Sequence, residues 1–458
     1  MTAKTGLLDE AKTTLKLAVP FSLTLVGNMM MGIVDTIVIG RYDSVALSGV
    51  AAGNGIFWPA AVFGIGLTLG METVVAQAQG AGDHVQCDRG LGAGLFLAAI
   101  LALVITPLLY LAGQYYYYLT GADAQVAKVA GSYLKILSLS YPFIIFFNAV
   151  QRYWQSFSVA LPMTIIIIVA NVFNLAGNIV FVYGLYGFPQ MGAEGVALST
   201  LICRFLTVVA IVVVSFYYWK KRNADARPEQ RFHLRNVLSI KRDVLARLVR
   251  LGIPSGLQTG LEVGAFGIAT TLAAGLGVTP IATHQVVLTI ASFMFMFPLG
   301  LSSAAAVRVG HYVGAAKPFQ ARKMGWLCLG MAGVLMTVPS ALLYLVPEFF
   351  VGIFTEDPQV VNNALAVIGL VAFFQIFDGI QIVGTGSLRG LGNTHLAMIS
   401  NFAGHYLVGL PVGMYMCFSM DRGIQGIWFG LTLGLMVACG ANLFFWQRLS
   451  RTKLLGYA

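Results

Sequence analysis

Long apolar runs alternate with short polar clusters along this chain, and the runs show no period-two alternation. Leu91–Leu111, Met163–Tyr183 and Val196–Trp219 each carry at most one charged residue. A helix of roughly 20 such residues crosses ~30 Å of hydrocarbon. About twelve stretches meet that length rule. They fall near 13–39, 50–77, 91–117, 125–150, 160–184, 192–219, 247–274, 282–310, 324–346, 360–385, 396–418 and 424–447. A transmembrane β-barrel would need short alternating segments, which are missing. The pattern therefore predicts an all-α polytopic membrane protein with twelve transmembrane helices.

The pattern also repeats. At a constant offset, Leu17 falls on Leu251, Pro20 on Pro254, Gly66-Leu67 on Gly300-Leu301, Val75 on Val309 and Gly80-Ala81 on Gly314-Ala315. Each half holds six spans and starts on the same membrane side. Such parallel repeats predict two six-helix lobes related by a pseudo-two-fold axis along the membrane normal. The expected division is an N-terminal lobe at 1–219, a solvated basic linker at 220–246 and a C-terminal lobe at 247–458. Two bundles that rock about a midplane site suit alternating access, so the repeat points to transport. A membrane enzyme has no need of that arrangement.

Charge then orients the chain. The net charge of +10 invites a nucleic-acid reading, but its distribution opposes one. Ten Lys or Arg fall within residues 220–250, Arg227 among them. Further basic residues include Lys4, Lys12, Lys16, Arg308, Lys317, Arg322, Lys323, Arg448 and Lys453, all on one side of a twelve-span chain. The positive-inside rule places that side, both termini and the linker in the cytoplasm. The linker's Pro228 suits a connection between lobes. Five scattered cysteines form no C-x-x-C pair, so no disulfide frame or zinc site is implied. Trp154, Trp326, Trp446 and Tyr217 near span ends read as interfacial belt residues. Glycines four apart, Gly66/Gly70, Gly260/Gly264 and Gly426/Gly430/Gly434, read as close helix contacts.

Soluble catalytic signatures are missing: no Walker A loop, no H-E-x-x-H and no G-x-S-x-G. Acids inside the spans carry the chemistry instead. Asp35, Glu262 and Asp378 lie deep in apolar runs, where an ionised carboxylate costs at least about 2.5–3.5 kcal/mol on insertion scales. Each must bind a proton or cation, pair with a base, or face a wet cavity. Only Lys135 and Arg204 sit well inside spans, so at least one acid is left for a proton, a metal ion or a cationic ligand. Glu72, nearer an inner end, reads as structural. Asn174 and Asn178, one turn apart, offer amide oxygens to a cation site with Asp35, and Thr200 offers a hydroxyl; helix–helix hydrogen bonding is the equal alternative. Phe293, Phe295 and Met296 suggest a lining for flat apolar cations, although such runs more often face lipid or pack.

Together these residues resemble the multidrug and toxic compound extrusion (MATE) family, and more closely its NorM-type bacterial branch. The resemblance covers essentially the whole chain. It rests on Pro20, on Val34-Asp35-Thr36 with Ile39-Gly40, and on Gly252-Ile253-Pro254 leading into Leu261-Glu262. It continues in Phe377-Asp378 and Gly386-Ser387-Leu388-Arg389-Gly390-Leu391-Gly392. It implies two six-helix lobes forming a V, with drugs and organic cations exported against inward Na⁺ or H⁺. It assigns Asp35, Asn174 and Asn178, with Thr200 fitting less closely, to an N-lobe cation site, and Glu262 and Asp378 to a C-lobe cation site. Phe374 stands where some members have tyrosine one turn before the second acid, so one hydroxyl is lost there. Phe374 joins Phe293, Phe295 and Met296 as candidate substrate-pocket residues.

The expected function is a cation-coupled multidrug antiporter, not an enzyme, without a cofactor beyond the coupling ion. Its expected partners are cationic small molecules, the coupling cation and the lipid bilayer, with no nucleic acid. A chain holding both lobes is expected to work as a monomer. The sequence leaves Na⁺ and H⁺ both open. A flippase for polyprenyl-linked sugars is the rival, opposed by the mainly acidic intramembrane charge. A prenyltransferase-like enzyme would need clustered aspartates, and no D-x-x-x-D occurs.

Overall fold

The computed structural model describes residues 6–121, 123–225 and 230–455, with side chains as far as Thr452 and without that of Asp225. Lys4, Arg227, Pro228 and the Lys453 side chain lie outside them. The described residues are almost wholly helical and contain no strand. The main helices are α1 Leu7–Tyr42, α2 Ser44–Gly80, α3 His84–Gln114, α4 Ala124–Ser138, α5 Tyr141–Ser156, α6 Leu161–Tyr183 and α7 Ala193–Asp225 in the first half. The second half has α8 Arg242–Gly275, α9 Val278–Gly314, α10 Pro318–Leu345, α11 Pro358–Gly390, α12 Thr394–Phe402 and α13 Gly423–Leu455. Nine are individually long and apolar enough to span a membrane, and the bent pair α4–α5 makes a tenth. A further span is α8, whose apolar turns are interrupted by Gln258 and Glu262. The last to be counted is α12 with its continuation through Ser419, the eleventh span in chain order, where α-helical and π-helical turns alternate. The chain is a multi-pass helical membrane protein with twelve spans.

The fourth span departs from a single rod. It bends by 43° between α4 and α5. Pro142 in the first turn of α5 lacks the N–H that would continue the ladder, and Ser140 turns its hydroxyl to the Leu137 carbonyl. In the eleventh span, Ala403–Gly409 and Tyr415–Ser419 adopt π-helical turns, where the wider coil holds one extra residue per turn.

The chain forms two compact units: Thr24–Gly252, and Met1–Leu23 with Ile253–Ala458. The divisions fall within α1 and α8, next to Pro20 and Pro254, which the repeat aligns. The start of each repeat's first helix thus packs with the other repeat's helices. In one unit Ser22 Oγ donates to the Phe297 carbonyl at 3.0 Å, and Gly300 abuts Ser22. In the other, Gly252 abuts the Leu67 carbonyl, so only hydrogen fits there. Each contact joins the start of one repeat's first helix to the second helix of the other repeat.

Each unit has its own core. The first gathers Phe57, Met71, Tyr133, Tyr141, Tyr153 and Trp154. The second gathers Met294, Met336, Phe374, Trp428 and Leu431. Trp154 and Trp446 are not belt residues: Trp154 is buried and donates to Ser215 Oγ at 2.7 Å, while Trp446 is buried against Gly325. Trp326 and Tyr217 are exposed, as an interfacial role requires. Close packing of small residues holds for the last helix, where a side chain on Gly430 would strike Gly413 and the Gly409 carbonyl. Gly264 meets Tyr406, whereas Gly260 faces open space. The described part of the linker is not simply solvated. Phe232 stacks on Trp219 at 4.0 Å and bonds Asn223, and Val237 enters the first core.

Candidate functional site

In the unit Thr24–Gly252, the last turns of α1 bring Asp35 against α6 and α7. Asn178 Nδ2 donates to Asp35 Oδ1 at 2.7 Å, and Thr200 Oγ1 donates to Asp35 Oδ2 at 3.2 Å. Asn178 Nδ2 also lies 3.3 Å from Asn174 Oδ1, and Asn174 Nδ2 donates to Thr200 Oγ1 at 3.4 Å. Spacing of four residues puts both asparagines on one face of α6. The four residues anticipated from the sequence thus converge, all buried. Asn178 Oδ1 is buried without a hydrogen-bond partner. A carboxylate, two amides and a hydroxyl, one of the amides with a spare acceptor, form a donor set that suits a hard cation. The same carboxylate is equally placed to take a proton.

Arg204 is the nearby base, but it forms no salt bridge with Asp35. Its guanidinium lies over the Phe57 and Trp58 rings at 5.0 and 5.9 Å and donates to Ser140 Oγ. Asp35 therefore feels a positive charge without being neutralised by contact.

The unit containing Ile253–Ala458 carries the second pair. Glu262 on α8 is 9% exposed and Asp378 on α11 5%. Neither has a hydrogen bond or ion pair among the described residues, and they are near enough to interact electrostatically. The rings one turn away explain their level. Phe266, four residues after Glu262, meets Phe374, four before Asp378, at 6.2 Å. The helices run in opposite directions, so both acids fall on the same side of that ring pair. Phe374 also packs edge-on against Trp428 at 5.8 Å, so it belongs to the core. Phe293 is exposed and contacts Phe297, while Phe295 and Met296 are half-buried. Among the described residues no ring contact joins this run to Phe374.

The sequence reads His405 as packed or interfacial, and it singles out neither Tyr406 nor Asn401. His405 packs on Phe266 at 6.3 Å, and Tyr406 Oη donates to the Leu261 carbonyl at 3.0 Å, fixing α12 and its continuation beside α8. Asn401 lies one turn before His405 on the same span. Asn401 is fully buried, and both its side-chain polar atoms lack partners, as do both His405 nitrogens. An amide in a hydrophobic run was the available signal, but one asparagine without a periodic partner reads as ordinary helix packing.

Three other acids are ion-paired. Glu72 is paired with Arg152, as its position near an inner end suggested. Asp88, not singled out from the sequence, holds Arg222 at 3.0 Å and accepts from Tyr153 at 3.1 Å. Glu10 pairs with Arg308 and accepts from Tyr312.

Two repeated helical units in a membrane-spanning chain, each with a deeply buried acidic cluster, define the architecture of a secondary transporter. The sequence model of the MatE family matches residues 20–180 and 254–415, once in each half, and the chain belongs to this family of MATE transporters. Solved structures share its fold throughout. The eukaryotic MATE transporter AtDTX14 is 21% identical, with 98% of this chain and 99% of that one covered and a TM-score of 0.85. An outward-facing multidrug resistance MATE family transporter of the MOP superfamily is 19% identical over 98% and 97%, with a TM-score of 0.88. A MOP superfamily transporter from Pyrococcus furiosus, described by a reversed polarity of its binding pocket that suggests a different function, is 18% identical over the full length of both, with a TM-score of 0.87.

Proposed function

We propose that this chain exports organic cations and drugs across a bacterial cytoplasmic membrane in exchange for Na⁺ or H⁺, as a NorM-type member of its family. The observation that carries the reading is the pair Glu262 and Asp378, buried with no hydrogen bond or ion pair among the described residues. Ionised and unpaired, such groups are costly in hydrocarbon, so a bound proton, metal ion or cationic drug stabilises the unit that holds them. Asn401, buried one turn before His405, keeps a side-chain oxygen without a hydrogen-bond partner.

The Asp35 cluster is the second cation site, with Asn174, Asn178 and Thr200 as its neutral ligands or proton-stabilising donors. Na⁺ needs the additional oxygens; H⁺ needs only the carboxylate. Coupling follows if the cation and the drug favour different states of the transporter, because each ligand shifts the equilibrium by its difference in affinity. The one-sided distribution of Lys and Arg supports cytoplasmic termini. Presence of both lobes in one chain supports action as a monomer.

A flippase for lipid-linked sugars would use cavity cations to hold an anionic headgroup. Here Arg204 is buried on two aromatic rings and Ser140, which favours export of cations. Ethidium efflux from cells expressing the wild-type chain, Glu262→Gln or Asp378→Asn tests the assignment. Both variants are expected in the membrane at normal level and inactive. Normal resistance in both would remove the second-lobe acids from the mechanism.

A further inference from the structure

Beside the start of α10 lies an open groove of about 870 Å³. Its walls are apolar, from Leu7 and Leu15 on α1 to Trp326, Met331 and Leu335 on α10, and every wall belongs to one compact unit. Its only charged residues are Arg322 and Lys323, together at one end. We propose that this groove is a binding site for one anionic phospholipid, with the phosphate at Arg322 and Lys323 and an acyl chain running along α10.

Charge supports the headgroup end. Arg322 donates to Gln447 Oε1 at 3.1 Å, a neutral partner that orients the guanidinium without cancelling it. Neither cation has an ion pair among the described residues. Glu10 is engaged with Arg308 and Tyr312. Asp9 lies two residues from Leu7, on the face of α1 turned away from the groove, because successive helical residues rotate by about 100°. The half-exposed Trp326 sits one turn beyond Lys323, the depth at which an indole meets headgroups.

Length supports the tail. From Lys323 to Leu335 the helix rises about 18 Å. One leaflet of hydrocarbon is about 15 Å deep, half the usual core thickness. Gly330 lies in this stretch, and a side chain added there would meet nothing within 4 Å. The glycine therefore leaves room rather than relieving a helix contact. A volume near 870 Å³ is also within the range of sites that enclose a small ligand. The basic end faces the leaflet that the positive-inside rule makes cytoplasmic. A bound lipid would bridge the first turns of α1 to α10 and so brace that unit.

Native mass spectrometry of the full chain, released from mixed micelles holding equal phosphatidylglycerol and phosphatidylcholine, tests this. The wild type should retain one phosphatidylglycerol in preference to phosphatidylcholine. Arg322→Gln with Lys323→Gln should weaken that retention roughly thirtyfold, given the usual attraction of two basic residues for anionic lipid. Gly330→Phe should displace the lipid with both cations intact, and a normal melting temperature will show that it folds. Lys220→Gln with Lys221→Gln, on the other unit, should change nothing. Equal retention of both lipids by the wild type, retention unchanged in both groove variants, or the same loss in the Lys220/Lys221 variant would overturn the proposal.

Discussion

Glu72 and Asp378 are both acids in apolar helices, yet their surroundings give them opposite consequences. Glu72 is joined to Arg152, and both are buried. Removing one partner of such a pair leaves the other charge stranded, at a cost of about 3–5 kcal/mol. Glu72→Gln is therefore expected to lower the melting temperature of the purified protein and its yield. Asp378→Asn removes a charge that no base compensates, so its melting temperature should match or exceed the wild type's while transport is lost. A thermal unfolding series on the two variants checks this contrast, and equal destabilisation would refute it. In the first unit, Asn178→Leu removes the donor that Asp35 accepts at 2.7 Å and the spare amide oxygen beside it. Losing a group that orients a cation's ligand typically costs 10–100-fold in affinity, so cation binding at Asp35 should weaken by about that factor. Titration of the purified variant with Na⁺, and separately with acid, measures the effect.

At this scale the sequence was informative wherever polarity was rare. Asp35, Asn174, Asn178 and Thr200 stood out as polar residues in apolar runs, and the structure brings all four together. Asn401 and His405 stood out less, because nothing in the sequence says which face of the eleventh span meets α8. That face depends on the π-helical turn at Ala403–Gly409, a local change of register that hydropathy does not encode. Trp154 was misplaced for a related reason. Its place near a span end suggested the interface, but the indole is buried in the first core and donates to Ser215 on α7.

Among the elements, glycine spacing describes opportunity and packing decides use. Gly430 touches Gly413 and the Gly409 carbonyl, so Gly430→Leu must separate α13 from the eleventh span. Membrane helix association rests on such close contact, and this variant should be recovered poorly or aggregated on size-exclusion chromatography. Gly260 has nothing within 4 Å, and Gly260→Ala should leave the protein folded and monodisperse, stabilised by up to about 1 kcal/mol through helix propensity. Both glycines belong to four-residue patterns in the sequence. Only the neighbouring helix separates them, and no single-helix pattern contains that neighbour.

Over the whole molecule, the repeat was readable and its exchange of helix ends was not. The halves align from Leu17 and Leu251 onward, yet the compact units divide at Leu23/Thr24 and Gly252/Ile253, inside α1 and α8. A hydropathy profile marks where a helix lies in the membrane, not which bundle it packs with. The contacts at Ser22–Phe297 and Gly252–Leu67 settle that assignment for each unit. They also keep the acid pair of Glu262 and Asp378 in one unit and Asp35 with its amides in the other. Two candidate cation sites, one per unit, are the basis of the coupled export proposed for this chain.

That claim is tested most directly with purified protein in liposomes preloaded with a fluorescent organic cation. A Na⁺ gradient is imposed at equal pH, or a pH gradient without Na⁺. The account predicts dye movement opposite to one of these gradients, lost in Asp378→Asn despite equal incorporation. Dye movement that ignores both gradients, or persists undiminished in Asp378→Asn and in Asp35→Asn, would contradict it.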